Sequence, residues 1–217
     1  MSPDLASSLR HKPSLTTEKG MERAAAIVEA ATRLFITEGF AGLSMRAVAH
    51  ELGMSLSHVQ HYYKNKEDLV EALLYRILDR YRWAVADIQR SLDDQSAFEQ
   101  FCAAIDLFLH DVTQQEFAAV FCEIWALSTR HTFAAALLEK VQLRERKQLR
   151  ALIKPLLPNA SSDELNLRAH LMLMTIDGLV VCSAHQAQDP LAVHLLVQNT
   201  RQHLIDLGRA SIDVVSQ

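Results

Sequence analysis

The sequence predicts an all-α protein, a three-helix N-terminal head followed by a larger helical bundle. Three observations carry that prediction. No stretch alternates apolar and polar residues with the period of two that a half-buried strand shows. Apolar residues recur instead at spacings of three and four, opened by cap residues and closed by glycine or proline. Within 44–63, SMRAVAHELGMSLSHVQHYY, two short helical stretches flank a glycine.

Residues 1–20 read as a disordered tail, with Pro3, Pro13 and scattered serines and threonines but no periodicity. Arg10, His11, Lys12 and Lys19 give it positive charge. The stretch 27–40, IVEAATRLFITEGF, is amphipathic, with Ile27, Ala31, Leu34 and Phe35 on one stripe and Gly39 as its stop. Ser44 and Ser55 stand where N-caps belong. Ala49 is small enough for a second helix to cross closely, Gly53 permits a left-handed turn, and Val59 returns to seal the angle. Asn65 caps a long helix over about 66–91, with Glu67 and Asp68 in its first turn. Leu69, Leu73, Ile77, Arg80, Ala84 and Ile88 mark its main stripe.

Capping boxes are expected at Ser96–Glu99, at Thr113–Glu116 and at Ser161–Glu164. The helix over 133–156 stops near Pro155 and Pro158, and the one after Ser161 runs to about 185. Asp189-Pro190 pairs an N-cap with proline at the first helical position, and that last helix runs to Gly208. The domains predicted are a tail over 1–20, a head over 21–66, a bundle over 67–210 and a tail over 211–217.

Two helices and a tight turn are the helix-turn-helix pattern, whose second helix enters a DNA major groove. A plain helical hairpin needs the small residue and the glycine as well. It does not need an exposed second helix reading Leu56, Ser57, His58, Gln60 and His61. Leu56, His58 and Gln60 are expected to face bases, with His61 also turned to the groove. Arg46, Ser55 and Ser57 are expected near phosphates or the groove edge, with Ser44 at the start of the supporting helix. Tyr62 and Lys66 are expected to hold the DNA backbone.

The run Glu38-Gly39-Phe40, Ser44, Gly53-Met54-Ser55, Tyr62-Tyr63 and Lys66-Glu67-Asp68-Leu69 resembles the TetR family of bacterial transcriptional regulators over about residues 23–70. Gln60 stands where that family usually has tyrosine, and Ser57 where glycine is typical. EIWALSTRH with a later Asp177-Gly178-Leu179 is similar to the C-terminal domains of the BetI-like branch. The resemblance implies a homodimer made by the last two helices, with double-stranded DNA as the other partner. Leu171, Met174, Gly178, Val181 and Cys182 would lie near the seam, with Leu195, Leu196, Asn199 and His203 from the final helix. It also implies a small organic effector. Leu74, Leu78 and Arg82 could line its cavity with Phe101, Ile105, Phe108 and Phe121. Trp125, Met174 and Asp177 would complete it, Trp125 with Phe121 facing a cation and Asp177 balancing its charge. Asp177 bonded to a neighbour such as Arg82 is the alternative.

Composition narrows the classes. Residues 1–66 carry eight Lys/Arg against six Asp/Glu, and residues 67–217 carry 14 against 20, so positive charge gathers on the head of a chain whose net charge is −4. With no uninterrupted run of eighteen apolar residues and no apolar leader, no membrane span or signal peptide is expected, and the location expected is cytoplasmic. Cys102, Cys122 and Cys182 lie in apolar helical stretches without metal-ligand spacing and read as reduced, buried thiols. No phosphate-binding glycine loop or nucleophile motif is present, so neither catalysis, metal nor cofactor is expected. Two functions remain: a ligand-responsive repressor on a palindromic operator, or a DNA-bound protein whose bundle recruits a protein partner.

Overall fold

A computed structural model describes residues 17–92, 94–186 and 189–209, and every regular element among them is helical. The expectations for residues 1–16 and for the 211–217 tail lie outside the described residues. The chain divides into two compact units, Met1–Arg82 and Trp83–Gln217.

The first unit begins with α1, Glu18–Gly42, so the helix starts inside the span expected to be tail. Thr17 accounts for the early start, because its hydroxyl accepts the Gly20 N–H at 3.1 Å and satisfies a free donor of the first turn. Gly39, at φ 68° and ψ −173°, breaks the helix where the sequence placed its stop. Ala24, Ile27, Ala31 and Phe35 are buried, and Leu34 is only half-buried. Helices α2, Met45–Glu51, and α3, Leu56–Tyr62, follow, each capped by the serine expected. Helix α4, Lys66–Ser91, spans the expected range. Asn65 Oδ1 accepts the Asp68 N–H at 2.8 Å, and Asp68 in return accepts the Lys64 N–H at 3.2 Å. Among the described positions of α4, Leu69, Val70, Ala72, Leu73, Leu74, Leu78, Asp79 and Val85 are buried, so the expected stripe holds at Leu69 and Leu73, while Ile77 and Ala84 are half-buried and the buried line continues instead through Leu74, Leu78 and Val85. The side chains of Arg80 and Ile88 lie outside the described residues.

The second unit contains α5 (Ala97–Val112), α6 (Gln115–Ser128), α7 (Thr132–Ile153), α8 (Ser162–Gln186) and α9 (Pro190–Arg209). A single 3₁₀ turn, Lys154–Leu156, ends α7 at the prolines. Ser96 and Glu99 form the expected reciprocal box, which holds the Glu99 carboxyl below its ordinary value chiefly through the Ser96 hydroxyl. The Thr113 box does not form. The Thr113 hydroxyl donates back to the carbonyls of Leu109 and His110, at 3.0 and 2.9 Å, and so closes α5. The cap of α6 is Gln114, whose side chain donates back to the His110 carbonyl at 3.0 Å and makes no capping bond. Half of the Ser161 box forms: Ser161 caps the Glu164 N–H at 3.1 Å, but the Glu164 carboxylate turns to Arg168. Asp189 caps α9 through the Ala192 N–H at 3.1 Å.

Helix α8 packs against α5, α6, α7 and α9. Over Ser162–Ser183 it is long and apolar enough to be weighed as a membrane span, although no uninterrupted apolar run exists. The reason is that it is apolar on two faces. Leu165, Ala169, Met172, Leu173 and Ile176 fill the core, while Leu167, Met174 and Val181 are exposed. Cys182 is on the exposed side, against the expectation of a buried thiol, and Cys102 and Cys122 are half-buried. Arg168 is fully buried in the same helix. Its guanidinium donates to Glu164 at 2.6 Å and to the Leu207 carbonyl at 2.6 Å, tying the start of α8 to the end of α9. Replacing Arg168 by alanine strands a half-buried carboxylate and a carbonyl. Urea unfolding of that variant is expected to show a loss of about 3 kcal/mol.

Candidate nucleic-acid interface

The angle between α2 and α3 is set before any DNA contact is considered. Gly53 sits at φ 61°, a region that costs an L-residue about 1–2 kcal/mol. No atom stands within 4 Å of where its Cβ would be, so the backbone angle, not crowding, requires glycine. Across the turn Val48, Ala49 and Val59 are buried, and the Met54 N–H bonds the Ala49 carbonyl at 2.9 Å. Val59 thus faces inward, and the opposite side of α3 is left to solvent.

That outer side carries Ser57, Gln60 and His61, all exposed, with Leu56, His58 and Tyr62 half-buried beside them. Arg46 is exposed on α2. Ser44 and Ser55 use their oxygens as caps, accepting the N–H groups of Ala47 at 3.1 Å and His58 at 3.2 Å. Their hydroxyl protons stay available as donors, and the Ser55 and Ser57 hydroxyls are 3.0 Å apart. Tyr62 lies between two imidazoles, its ring centroid 5.8 Å from that of His58 and 5.4 Å from that of His61.

Lys66 opens α4, and its ammonium rests 3.8 Å over the Phe40 ring centroid. Partial burial lowers its pKa, an effect that Glu67 opposes. The cation is held in place, so a phosphate would meet it at little entropic cost. Tyr63 plays a different part. It is buried, its hydroxyl is directed at the Ala24 carbonyl at 3.5 Å, and burial pushes its pKa upward. Arg33 on α1 binds Glu51 at the end of α2, at 2.7 Å. Arg33 and two further arginines of the first unit escaped the sequence reading. Arg76 donates to the Ala25 carbonyl at 2.9 Å, and Arg23 reaches His58 at 3.5 Å. Neither pair has a short-range signature, since the partners are 51 and 35 positions apart.

The residues expected at an effector site are distributed through both units. Leu74 and Leu78 are buried in α4, and the Arg82 side chain lies outside the described residues. Phe101, Ile105, Phe108 and Phe121 are buried in the second unit, Phe121 stacked on Phe117 at 4.2 Å. Trp125 and Met174 are at the surface, 36 % and 59 % exposed, rather than on an enclosed wall. Trp125 lies one turn beyond the buried Phe121, at the edge of the core side of α6, and Met174 lies on the side of α8 away from Met172. Asp177 accepts a hydrogen bond from Gln142 Nε2 at 3.5 Å, and the Arg82 alternative lies outside the described residues. Burial raises its pKa from the ordinary 3.8 to about 6, against the opposing effect of Gln142. Among the described residues no group of three or more His, Cys, Asp or Glu could hold a metal ion.

Comparison with known proteins agrees with this geometry. The family of bacterial regulatory proteins called tetR matches residues 27–73, and the C-terminal domain of BetI-type transcriptional repressors matches residues 98–208. An uncharacterised HTH-type transcriptional regulator in the dhlA 5' region of Xanthobacter autotrophicus is 31 % identical over 169 residues, 76 % of this chain and 82 % of its own. A TetR-family regulator from Syntrophomonas wolfei shares the fold with a TM-score of 0.73 at 15 % identity, over 90 % of this chain and 98 % of its own. A regulator from Saccharomonospora viridis, solved in complex with choline, superposes with a TM-score of 0.61 at 21 % identity, over 85 % of this chain and 94 % of its own.

A cation held at the start of α4 contributes charge and no base recognition. Lys66→Ala is therefore expected to weaken binding to every DNA sequence alike and to lower the slope of log affinity against log salt by about one unit. Titrations of a preferred and a scrambled duplex at several salt concentrations measure both effects.

Proposed function

The chain belongs to the TetR family of bacterial regulatory proteins, and we propose that it is a ligand-responsive repressor that binds a palindromic operator as a homodimer. It is a DNA-binding transcriptional regulator and not an enzyme. The observation that carries the proposal is the outer edge of α3, polar and exposed on a helix whose inner side is locked by Val59. Leu56, His58 and Gln60 face bases, and His61 lines the groove. Ser44, Arg46, Ser55 and Ser57 approach phosphates, and Tyr62 and Lys66 grip the backbone. Such a regulator works in the cytoplasm.

The second unit supports a dimer. Leu167, Leu171, Met174, Gly178 and Val181 recur at spacings of four, three, four and three, which is one side of a helix. All five are exposed except Leu171, which is half-buried. Cys182 joins them on α8. On α9, Leu195, Asn199 and His203 are exposed and Leu196 is half-buried, and Leu191 extends the apolar surface. No atom of the described chain stands within 4 Å of a Cβ at Gly178, so the chain's own packing does not explain a glycine that costs its helix about 1 kcal/mol relative to alanine. Close crossing of a second copy explains it. A single head reads only a few base pairs, so two heads at fixed spacing are needed for a specific site. Met174→Asp is expected to shift sedimentation from dimer to monomer at micromolar concentration and to abolish operator binding. A monomer in the unaltered protein with full DNA affinity would favour instead a bundle that recruits a different protein.

An organic cation is the effector class best supported. Asp177 is a half-buried carboxylate bonded to the neutral amide of Gln142, Trp125 is a partly exposed indole, and a protein of the same fold binds choline. The raised pKa sets a sign. In the folded chain Asp177 holds its proton up to about pH 6, and in the unfolded chain it loses it near 3.8, so stability falls as pH rises between those values and stays lower above them. A bound cation needs the ionised form. Calorimetry is expected to find choline affinity rising by about tenfold from pH 5 to pH 7 in the unaltered protein, and little affinity at either pH in Asp177→Asn. Affinity independent of pH, or retained in Asp177→Asn, counts against this effector class.

A further inference from the structure

We infer that Arg23, on α1, is a positioning residue for base reading by α3: it fixes the tautomer and orientation of His58. The inference rests on the reading of His58 as a base-facing residue. It starts from a contact between two elements that the sequence places 35 positions apart, Arg23 Nη1 lying 3.5 Å from His58 Nε2.

A guanidinium has donors only and stays charged. For the guanidinium to donate to it, the nitrogen it faces must offer a lone pair, and that contact selects the tautomer with the ring proton on Nδ1. The ring is also confined from its own helix. Tyr62, one turn on, lies 5.8 Å away between centroids and tilted by 36°, and Ser55 caps the His58 N–H at 3.2 Å. Both Arg23 and His58 are half-buried, so the pair is shielded but still reaches the surface.

The tautomer decides what His58 can read. An Nδ1–H group donates, so it matches acceptors on the major-groove edge: purine N7, guanine O6 or thymine O4. It does not match the amino donors of adenine or cytosine. An imidazole free to carry its proton on either nitrogen could present a donor or an acceptor to the groove and would discriminate less. Arg23 retains other N–H donors for a neighbouring phosphate, so affinity and preference both pass through it.

The test uses the full chain and DNA selected from a random-sequence duplex pool. The unaltered protein, Arg23→Ala, Arg23→Lys, His58→Ala and the double alanine variant are compared for affinity and for preference at each base pair. Arg23→Ala and His58→Ala are expected to lose preference at the same base pair of each half-site and to bind the selected duplex about tenfold more weakly. The double variant is expected to fall within about twofold of either single variant, because the two residues act as one unit. Arg23→Lys is expected to recover affinity but not preference, since an ammonium supplies charge without the planar fork. Melting temperatures of Arg23→Ala and Arg23→Lys are expected to match that of the unaltered protein, which separates the effect from misfolding. Loss of preference in His58→Ala but not in Arg23→Ala, with additive losses in the double variant, overturns the positioning role and leaves His58 as a reader. Unchanged preference in both variants removes His58 from base reading and overturns the inference with it.

Discussion

The head depends on one close crossing, that of α2 over α3. Ala49 and Val59 are buried there with almost no exposed surface, and Gly53 turns the chain at φ 61° to bring them together. A short helix of seven residues is marginal in water, because nucleation fixes several dihedrals before bonds accumulate. Helix α3 is therefore held by its caps and by Val59 far more than by its own propensity. The surrounding contacts serve the same end: Tyr63 anchors its exit to Ala24, Arg33 ties α1 to Glu51, and Arg76 ties α4 to Ala25. A rigid short helix presents its polar edge without paying ordering entropy at the moment of binding, which is what groove reading requires.

The second unit is organised by α8, which touches each of the other four helices of its unit and is apolar on a further face besides. A helix of this kind resolves a conflict. Its core side stabilises the unit, and its outer side stays apolar and exposed. Arg168 shows how firmly the inner side is fixed. A fully buried guanidinium is costly unless paired, and here it is satisfied by a carboxylate one turn back and a carbonyl from the end of α9. Asp177, lower on the same helix, meets the neutral amide of Gln142, and its burial raises its pKa.

Much of this was legible in the sequence because it is local. The caps at Ser44, Ser55, Asn65, Ser96 and Asp189 are bonds between residues three apart, and each forms as the spacing predicts. So does the left-handed turn at Gly53, which a residue type alone announces. Local signals failed where two local bonds competed. Thr113 had the spacing of a cap but gave its hydroxyl to the preceding turn, and Glu164 gave its carboxylate to Arg168 rather than back to Ser161. The start of α1 at Glu18 was missed because the residues before Ile27 carry too few large apolar side chains to show a period.

The sequence by itself determined the class of protein: an all-helical chain with a helix-turn-helix, its caps, its turn and its family. Only the tertiary structure decided which distant side chains meet. Arg23 finds His58, Arg168 finds the Leu207 carbonyl, Tyr63 approaches the Ala24 carbonyl and Gln142 finds Asp177, across 35, 39, 39 and 35 positions. The reason is geometric. A period of 3.6 tells which face of a helix is buried, but not the angle or height at which another helix crosses it, and it is those two quantities that place one long polar side chain within reach of another.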